Sequence, residues 1–249
     1  MKLNKIDPKF ISKANPRIGL IALGSDFRIE KDFNNVIYGK DIDLYVNRIH
    51  CYNPLTNETL AKMADDITEV TSDILPDQKI DCVAYGCTSG TVAAGYDVIE
   101  KNIKLSKPEA KVTTPITSAI KALKVFNISK ISVFTPYTKS INDSVLNYFK
   151  KENITVNELT YFDIESDLDI GKVDEKYLIE VLSKINLEDS EALFVSCTAL
   201  PVLSIIEKLE KRLNKIVLSS NQTLIWDSLN LIGYKDDIEG FGKLFKINT

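Results

Sequence analysis

A chain of 249 residues with 44% apolar and 27% charged side chains has the make-up of an ordinary soluble globular protein, long enough to bury a sizeable core. Its net charge of −4 and its scattered lysines exclude a basic nucleic-acid footprint. The first ten residues hold no apolar leader and no stretch approaches ~18 apolar residues, so no membrane association and a cytoplasmic location are expected.

In chain order, Arg17 to Leu23 reads as a first strand, ending at the turn Gly24-Ser25-Asp26. Ile29 to Tyr38 has helical spacing with Gly39 as a stop, and Ile42 to His50 alternates as a strand. Asn53-Pro54 breaks that strand, and Thr56 caps a helix running to Leu75, with Glu58 in its first turn. A strand ending at Cys87 follows, then a helix from about Thr91 to Ile103, then the strand Lys111 to Thr114. Pro115 opens a helix with Ile116, Ile120 and Leu123 on one face. From Lys130 the order begins again: strand Ile131 to Thr135, helix Ser140 to Lys151, strand Ile154 to Phe162, helix Tyr177 to Ile185. A strand into Cys197, a helix Leu200 to Leu213, the strand Ile216 to Leu218 and a final helix capped by Ser219-Ser220-Asn221 complete the chain. Strand–helix alternation of this kind predicts parallel sheets.

The two halves carry the same design. D-C-V-A-Y-G-C-T-S-G-T (Asp81 to Thr91) and E-A-L-F-V-S-C-T-A-L-P (Glu191 to Pro201) superpose Cys87 on Cys197 and Thr88 on Thr198, 110 positions apart. Arg17-Ile18 and Lys130-Ile131 precede them, and Lys111-Val112 and Lys215-Ile216 follow them, at similar distances. The expected fold is α/β, with two pseudo-twofold-related lobes. Each lobe is a four-stranded, mainly parallel sheet flanked by helices, with the active site between them. The first lobe takes residues 1–115 plus 221–249 and the second 116–220.

Each cysteine is then expected where a strand ends and a helix begins, the ligand-binding edge of parallel α/β sheets. At such a position the helix dipole and free N–H groups lower a thiol pKa to ~3.5–7.5. Two thiols sharing one site keep one proton between them. One sulfur then removes a proton from carbon while the other delivers one to the opposite face. Alternatively, one attacks an activated double bond and holds an adduct while the carbon–carbon bond rotates. Neither route needs a metal or an organic cofactor. Hydroxyls and N–H groups at Thr88, Ser89, Thr91 and Thr198 suit a substrate carboxylate.

A buried, inert core residue is the ordinary alternative for any one cysteine, and Cys82, expected mid-strand, keeps that reading. Cys51 follows His50 directly, so the two face opposite ways on a strand and form no dyad. Cys82 and Cys87 have C-x4-C spacing but face opposite ways along a strand, no second pair of that kind follows and His50 is the single histidine, which argues against zinc. In Gly86-Cys87-Thr88-Ser89-Gly90 the serine is one place from a G-x-S-x-G elbow, and no phosphate-binding glycine motif occurs. Trp226, with Leu224, Ile225 and Leu229, reads as core.

The paired C-T-S-G-T and S-C-T-A-L-P, T-P-Y at Thr135 to Tyr137 and S-S-N-Q at Ser219 to Gln222 resemble the aspartate/glutamate racemase superfamily. The nearest branch holds maleate cis–trans isomerases, arylmalonate decarboxylases and ectoine-utilisation racemase-like proteins, and the resemblance runs from Arg17 to about Ile232. It implies Cys87 as the nucleophile of the maleate isomerases and Cys197 as its acid/base partner. It also implies Tyr137 as the tyrosine that holds or polarises a substrate carboxylate, and Thr88-Ser89 as the pair lining the carboxylate pocket of the decarboxylases. Two departures stand out. The decarboxylases have glycine at the first cysteine position, which counts against simple decarboxylation here. The maleate isomerases carry an asparagine after the first strand, where this chain has Ser25-Asp26. Asp26 there repels one end of a dicarboxylate and suits a substrate ammonium or amide, unless it is simply a helix cap. Around Ser166-Asp167, where the isomerases place another polar contact, the alignment assigns no residue.

The resulting expectation is a cofactor-independent two-cysteine isomerase, a racemase or a maleate-type cis–trans isomerase, of a small carboxylate or dicarboxylate. Cys87 and Cys197 are its catalytic residues, and Thr88, Ser89, Tyr137, Thr198, Ser25 and Asp26 its substrate contacts. An arylmalonate-type decarboxylase using Cys197 and a non-catalytic two-lobed carboxylate-binding protein are the alternatives. The partner is a small-molecule carboxylate, with neither nucleic acid nor membrane, and a homo-oligomer is compatible with the sequence.

Overall fold

The apolar runs pair as two sheets in a computed structural model that describes residues 3–11 and 14–247. The first sheet contains β1 (Arg17–Leu23), β2 (Asp43–Ile49), β3 (Cys82–Gly86) and β4 (Lys111–Thr113), in the order β2-β1-β3-β4. The second contains β5 (Lys130–Thr135), β6 (Thr155–Tyr161), β7 (Ala192–Val195) and β8 (Ile216–Ser219), in the order β6-β5-β7-β8. Every pairing among these strands is parallel, and the order in one half repeats in the other. The two lobes of the expected fold are therefore present.

Helices cover both sheets because the central strands are apolar on both faces. Ile18, Leu20 and Ile21 in β1, Val83 and Ala84 in β3, and Leu193 and Phe194 in β7 are all buried. Each large aliphatic so buried stabilises the fold by about 1.5–3 kcal/mol. The helices are α1 (Ile29–Ile37), α2 (Asn57–Lys62), α3 (Ile67–Ser72), α4 (Thr88–Ala94), α5 (Tyr96–Ser106), α6 (Pro115–Val125), α7 (Lys139–Lys151), α8 (Asp167–Ile170), α9 (Glu175–Leu182), α10 (Ile206–Leu213) and α11 (Ser220–Leu231).

Three helices are broken where periodicity predicts continuity. The Thr56-capped helix becomes α2, a 3-10 turn at Met63–Asp66, and α3. Asn102 Nδ2 from α5 takes the Ala64 carbonyl (2.8 Å), and the ladder tightens there. The cap itself is reciprocal with Thr59 rather than Glu58. The second break falls at Gly95, whose φ of +88° ends α4 and starts α5. The third separates Cys197 from α10: the chain turns through Thr198 to Val202, and a 3-10 turn at Leu203–Ile205 precedes the helix. Cys82, expected mid-strand, is instead the first residue of β3, and it is buried in the core.

The last helix ties the chain ends to the first sheet. Asp227 on α11 accepts from Thr113 at the end of β4, from Ser118 (3.3 Å) and from the Lys121 ammonium (2.7 Å), both on α6. Trp226 is buried as expected, and its Nε1 donates to the Ile247 carbonyl (2.9 Å). Among the described residues no helix is long and apolar enough to cross a membrane. Asp227→Ala should take the shared acceptor away from Thr113, Ser118 and Lys121 and lower stability by about 1–2 kcal/mol, read as the shift of a urea unfolding midpoint. An unchanged midpoint would mean that α11 is held by its apolar face alone.

Candidate active site

The seat of Cys87 is built by two glycines. A Cβ on Gly86 would stand 2.7 Å from Ile29 Cδ1 and 3.0 Å from the Ile21 carbonyl, so only glycine lets the end of β3 lie this close to β1 and α1. Cys87 then takes an extended conformation and caps α4, its Sγ accepting the Gly90 N–H at 3.2 Å. A Cβ on Gly90 would fall 2.8 Å from that sulfur. Ser89 Oγ lies 3.9 Å from Sγ.

Cys197 is held differently. It follows β7 and Ser196, but no helix begins beside it, so the expected helix dipole acts on Cys87 and not on Cys197. Its φ is +92°, a left-handed conformation that a side chain adopts only under strain. The Ala199 N–H and the Tyr137 hydroxyl lie close enough to its sulfur to favour the charged form instead. Ser196 Oγ donates to the Tyr137 hydroxyl (3.3 Å), and Asn142 Nδ2 pins the tyrosine's carbonyl (3.1 Å).

Ser220, the first residue of α11, joins the two cysteine loops. Its Oγ accepts from Thr88 Oγ1 (2.9 Å) and from the Cys197 N–H (3.0 Å). Thr198 Oγ1 donates to the Gly86 carbonyl (3.2 Å), a second tie between the same loops. Both expected threonines thus use their hydroxyls on the seam between lobes. Cys87 and Cys197 are 3% and 6% exposed, walled by polar groups as well as aliphatics. The wider surface hollows, by Ser72, Pro76 and Lys107 and by Pro16, Asp81 and Lys111, open near the N-terminal ends of the first sheet's strands, the wrong edge for either thiol.

Ser25 and Asp26 lie at this seam too. Asp26 Oδ1 accepts the Arg28 and Ile29 N–H groups (2.7 and 3.0 Å), so the helix-cap reading holds for one oxygen. Ser25 Oγ donates to Asp167 Oδ2 at 2.6 Å, across the lobe boundary. Asp167 is the residue the sequence left unassigned. It is 3% exposed, and its charge is felt at both Cys87 and Cys197. Cys51, set aside as the neighbour of His50, also faces this region, where the Ser25 side chain, Asp167 and Asp26 all act on its thiol. Tyr85, two residues before Cys87 on the same face of β3, presents a buried hydroxyl with no hydrogen-bond partner. Only position could have marked these residues beforehand: Cys51 and Tyr85 lie at the C-terminal ends of β2 and β3, and Asp167 opens α8 beyond β6.

Burial overrides the expected lowering of the thiol pKa values. Desolvation pushes Cys87 well above the ordinary thiol range, against the Gly90 N–H, with Cys51 and Asp167 adding to the rise. Cys197 is pushed up in the same way by burial and by Asp167 and Asp26, against Ala199 and Tyr137. Burial raises Cys51 to about 11, the Asp167 carboxyl to about 6 and the Asp26 carboxyl in the same direction. All four cysteines are unpaired thiols. Among the described residues no group of three or more His, Cys, Asp or Glu side chains is placed to hold a metal ion.

Comparisons with known proteins agree with this architecture. A maleate isomerase of Geobacillus stearothermophilus is 24% identical over 243 residues, 92% of this chain and 96% of that protein. An arylmalonate decarboxylase of Bordetella bronchiseptica is 24% identical over 136 residues, 53% of this chain and 57% of that protein. Among solved structures, a cysteine mutant of the Nocardia farcinica maleate cis–trans isomerase with a covalently bound succinylcysteine intermediate superposes with a TM-score of 0.86 at 17% identity, covering 94% of this chain and 99% of that one. Unliganded arylmalonate decarboxylase gives a TM-score of 0.73 at 20% identity, with 93% and 99% covered. The family model for arylmalonate decarboxylase matches residues 38–245, a span that takes in both cysteine loops and α11, and the chain belongs to that family.

Proposed function

We propose that this protein is a cofactor-independent cis–trans isomerase of a small unsaturated carboxylate of the maleate type, with Cys87 and Cys197 as its catalytic pair. The observation that carries the reading is the Ser220 hydroxyl, bonded at once to the Thr88 side chain and the Cys197 N–H, which brings the two cysteine loops to one buried seam. The maleate isomerase relatives support the reaction type. Cys87, where the decarboxylases have glycine, weighs against decarboxylation through Cys197 alone. The lobe boundaries at 115/116 and 220/221 and a cytoplasmic setting belong to the same proposal.

The working state is one thiolate and one thiol. Cys87 Sγ adds to one alkene carbon, and the π pair moves to the other carbon and onto its carboxylate. Cys197 gives its proton to that carbon and becomes the thiolate. The former double bond is now single and rotates. Cys197 takes the proton back, the double bond re-forms and the bond from carbon to Cys87 breaks. Ser89, Tyr137 and the first N–H groups of α4 hold the activating carboxylate, while Thr88 and Thr198 keep the two loops in register. The positive φ of Cys197 directs its sulfur into the seam at a cost of about 1–3 kcal/mol.

Three measurements test this. Cys87→Ser and Cys197→Ser should each lower turnover of maleate-type substrates at least ~10²-fold, as loss of a nucleophile or an acid/base does. Wild-type rates in either would remove the two-thiol mechanism. Cys197→Gly should be equally inactive yet unfold at a temperature no lower than the parent, because glycine accepts the left-handed backbone without strain. A lower unfolding temperature would mean that the conformation is not strained. The raised thiol pKa values also set the pH profile. Both groups are protonated at neutral pH, so kcat/KM should climb with pH from neutral into the alkaline range, approaching tenfold per unit. A plateau below neutral pH would contradict the burial argument.

A further inference from the structure

The seam holds two carboxyl groups that the chemistry of the thiols does not use. Asp26 comes from the first lobe and is fully buried. Its Oδ1 caps α1, but its Oδ2 has no hydrogen-bond partner. The neighbouring Thr198 hydroxyl commits its proton to the Gly86 carbonyl. Asp167 comes from the second lobe, latched by Ser25 and supported by Asn53 Oδ1 on its N–H (3.4 Å). Each carboxyl raises the proton affinity of Cys197, and Asp26 raises that of Asp167, so the three groups share one neighbourhood.

The charge of Arg48 reaches Asp26, but its guanidinium is bonded elsewhere. Arg48 donates to the Leu23 and Asp26 carbonyls and to Glu30, and Arg28 donates to the Gly171 carbonyl. Among the described residues no lysine or arginine bonds either carboxyl group. A second substrate carboxylate at this end would add a third acidic group to a dry site, where like charges repel strongly. A nitrogen that carries protons has the opposite sign of fit: it gives the unpartnered Oδ2 the donor it lacks.

We propose that Asp26 and Asp167 together form a subsite for an N–H donor, a primary amide or an ammonium group, so that the substrate is a monocarboxylate with such a nitrogen at its far end rather than a dicarboxylate. This rests on the isomerase reading for where the reacting carbons lie, with the activating carboxylate at Ser89 and Tyr137 and the nitrogen at the aspartates. Asp167 is thereby a specificity-determining residue supplied by the second lobe.

Titration calorimetry of the intact protein at neutral pH with succinamate, γ-aminobutyrate and succinate tests the subsite without requiring turnover. Either nitrogen compound, the first standing for an amide and the second for an ammonium, should bind at least ~10-fold more tightly than succinate. Asp26→Asn and Asp167→Asn keep the capping oxygen and the acceptor for Ser25. Each should erase most of that preference and let succinate bind better. Succinate as the tightest ligand, or no binding by any of the three, overturns the proposal. Turnover is then read with maleamate, cis-γ-aminocrotonate and maleate. A preference for nitrogen ligands without isomerisation of any of them would leave the subsite standing and remove the isomerase reading. Isomerisation of maleate with no preference for nitrogen would do the reverse.

Discussion

One oxygen atom holds the chemistry of this protein together. Ser220 Oγ accepts one hydrogen bond from the first lobe, from the Thr88 hydroxyl, and another from the second, from the Cys197 N–H. The residue stands at the start of α11, and α11 is anchored to the first sheet and α6 through Asp227. Rigid, buried hydrogen bonds of this kind fix distance and direction together, which apolar packing alone does not. Two lobes that could otherwise slide on one another are registered at the point where their thiols lie.

The same enclosure that registers the thiols also changes their acidity. A helix N-terminus favours a thiolate, yet Cys87, which has one, is still driven toward the neutral form because desolvation of the charge is larger than the dipole's contribution. Cys197 has only the Ala199 N–H and the Tyr137 hydroxyl to offset burial, and two nearby carboxyls oppose them. Burial therefore works against the resting thiolate. It also strengthens every hydrogen bond and charge that a bound substrate would meet.

The two matched halves are not symmetric where the chemistry lies. The sheets repeat strand for strand, but the loops after the cysteines do not. Cys87 opens a helix over Gly90, whereas Cys197 sits at a left-handed corner before Pro201. Ser25-Asp26 from one half meets Asp167 from the other, again unequal partners. A pseudo-twofold scaffold with unequal loops can present a nucleophile on one side of a carbon frame and a proton donor on the other.

Much of this was legible in the residues. Short apolar runs, turn chemistry and the recurrence of a cysteine motif marked the alternation of strands and helices and the doubled α/β architecture, and β1 falls on the residues that its pattern marks, whereas the order of strands within each sheet came from the tertiary structure. Patterns of period and capping are local, and local physics decides them. The breaks at Met63, Gly95 and Val202 were not legible in the same way. The first depends on Asn102 reaching Ala64, and the last on the corner that Cys197 is forced to turn. Asp167 and Cys51 lay outside any motif and Tyr85, inside one, carried no role there, since their neighbourhood exists only once the two lobes close on one another. The acidity of the thiols belonged to the tertiary structure for the same reason: sequence named the helix dipole, but only packing determines how much water is removed from the sulfur.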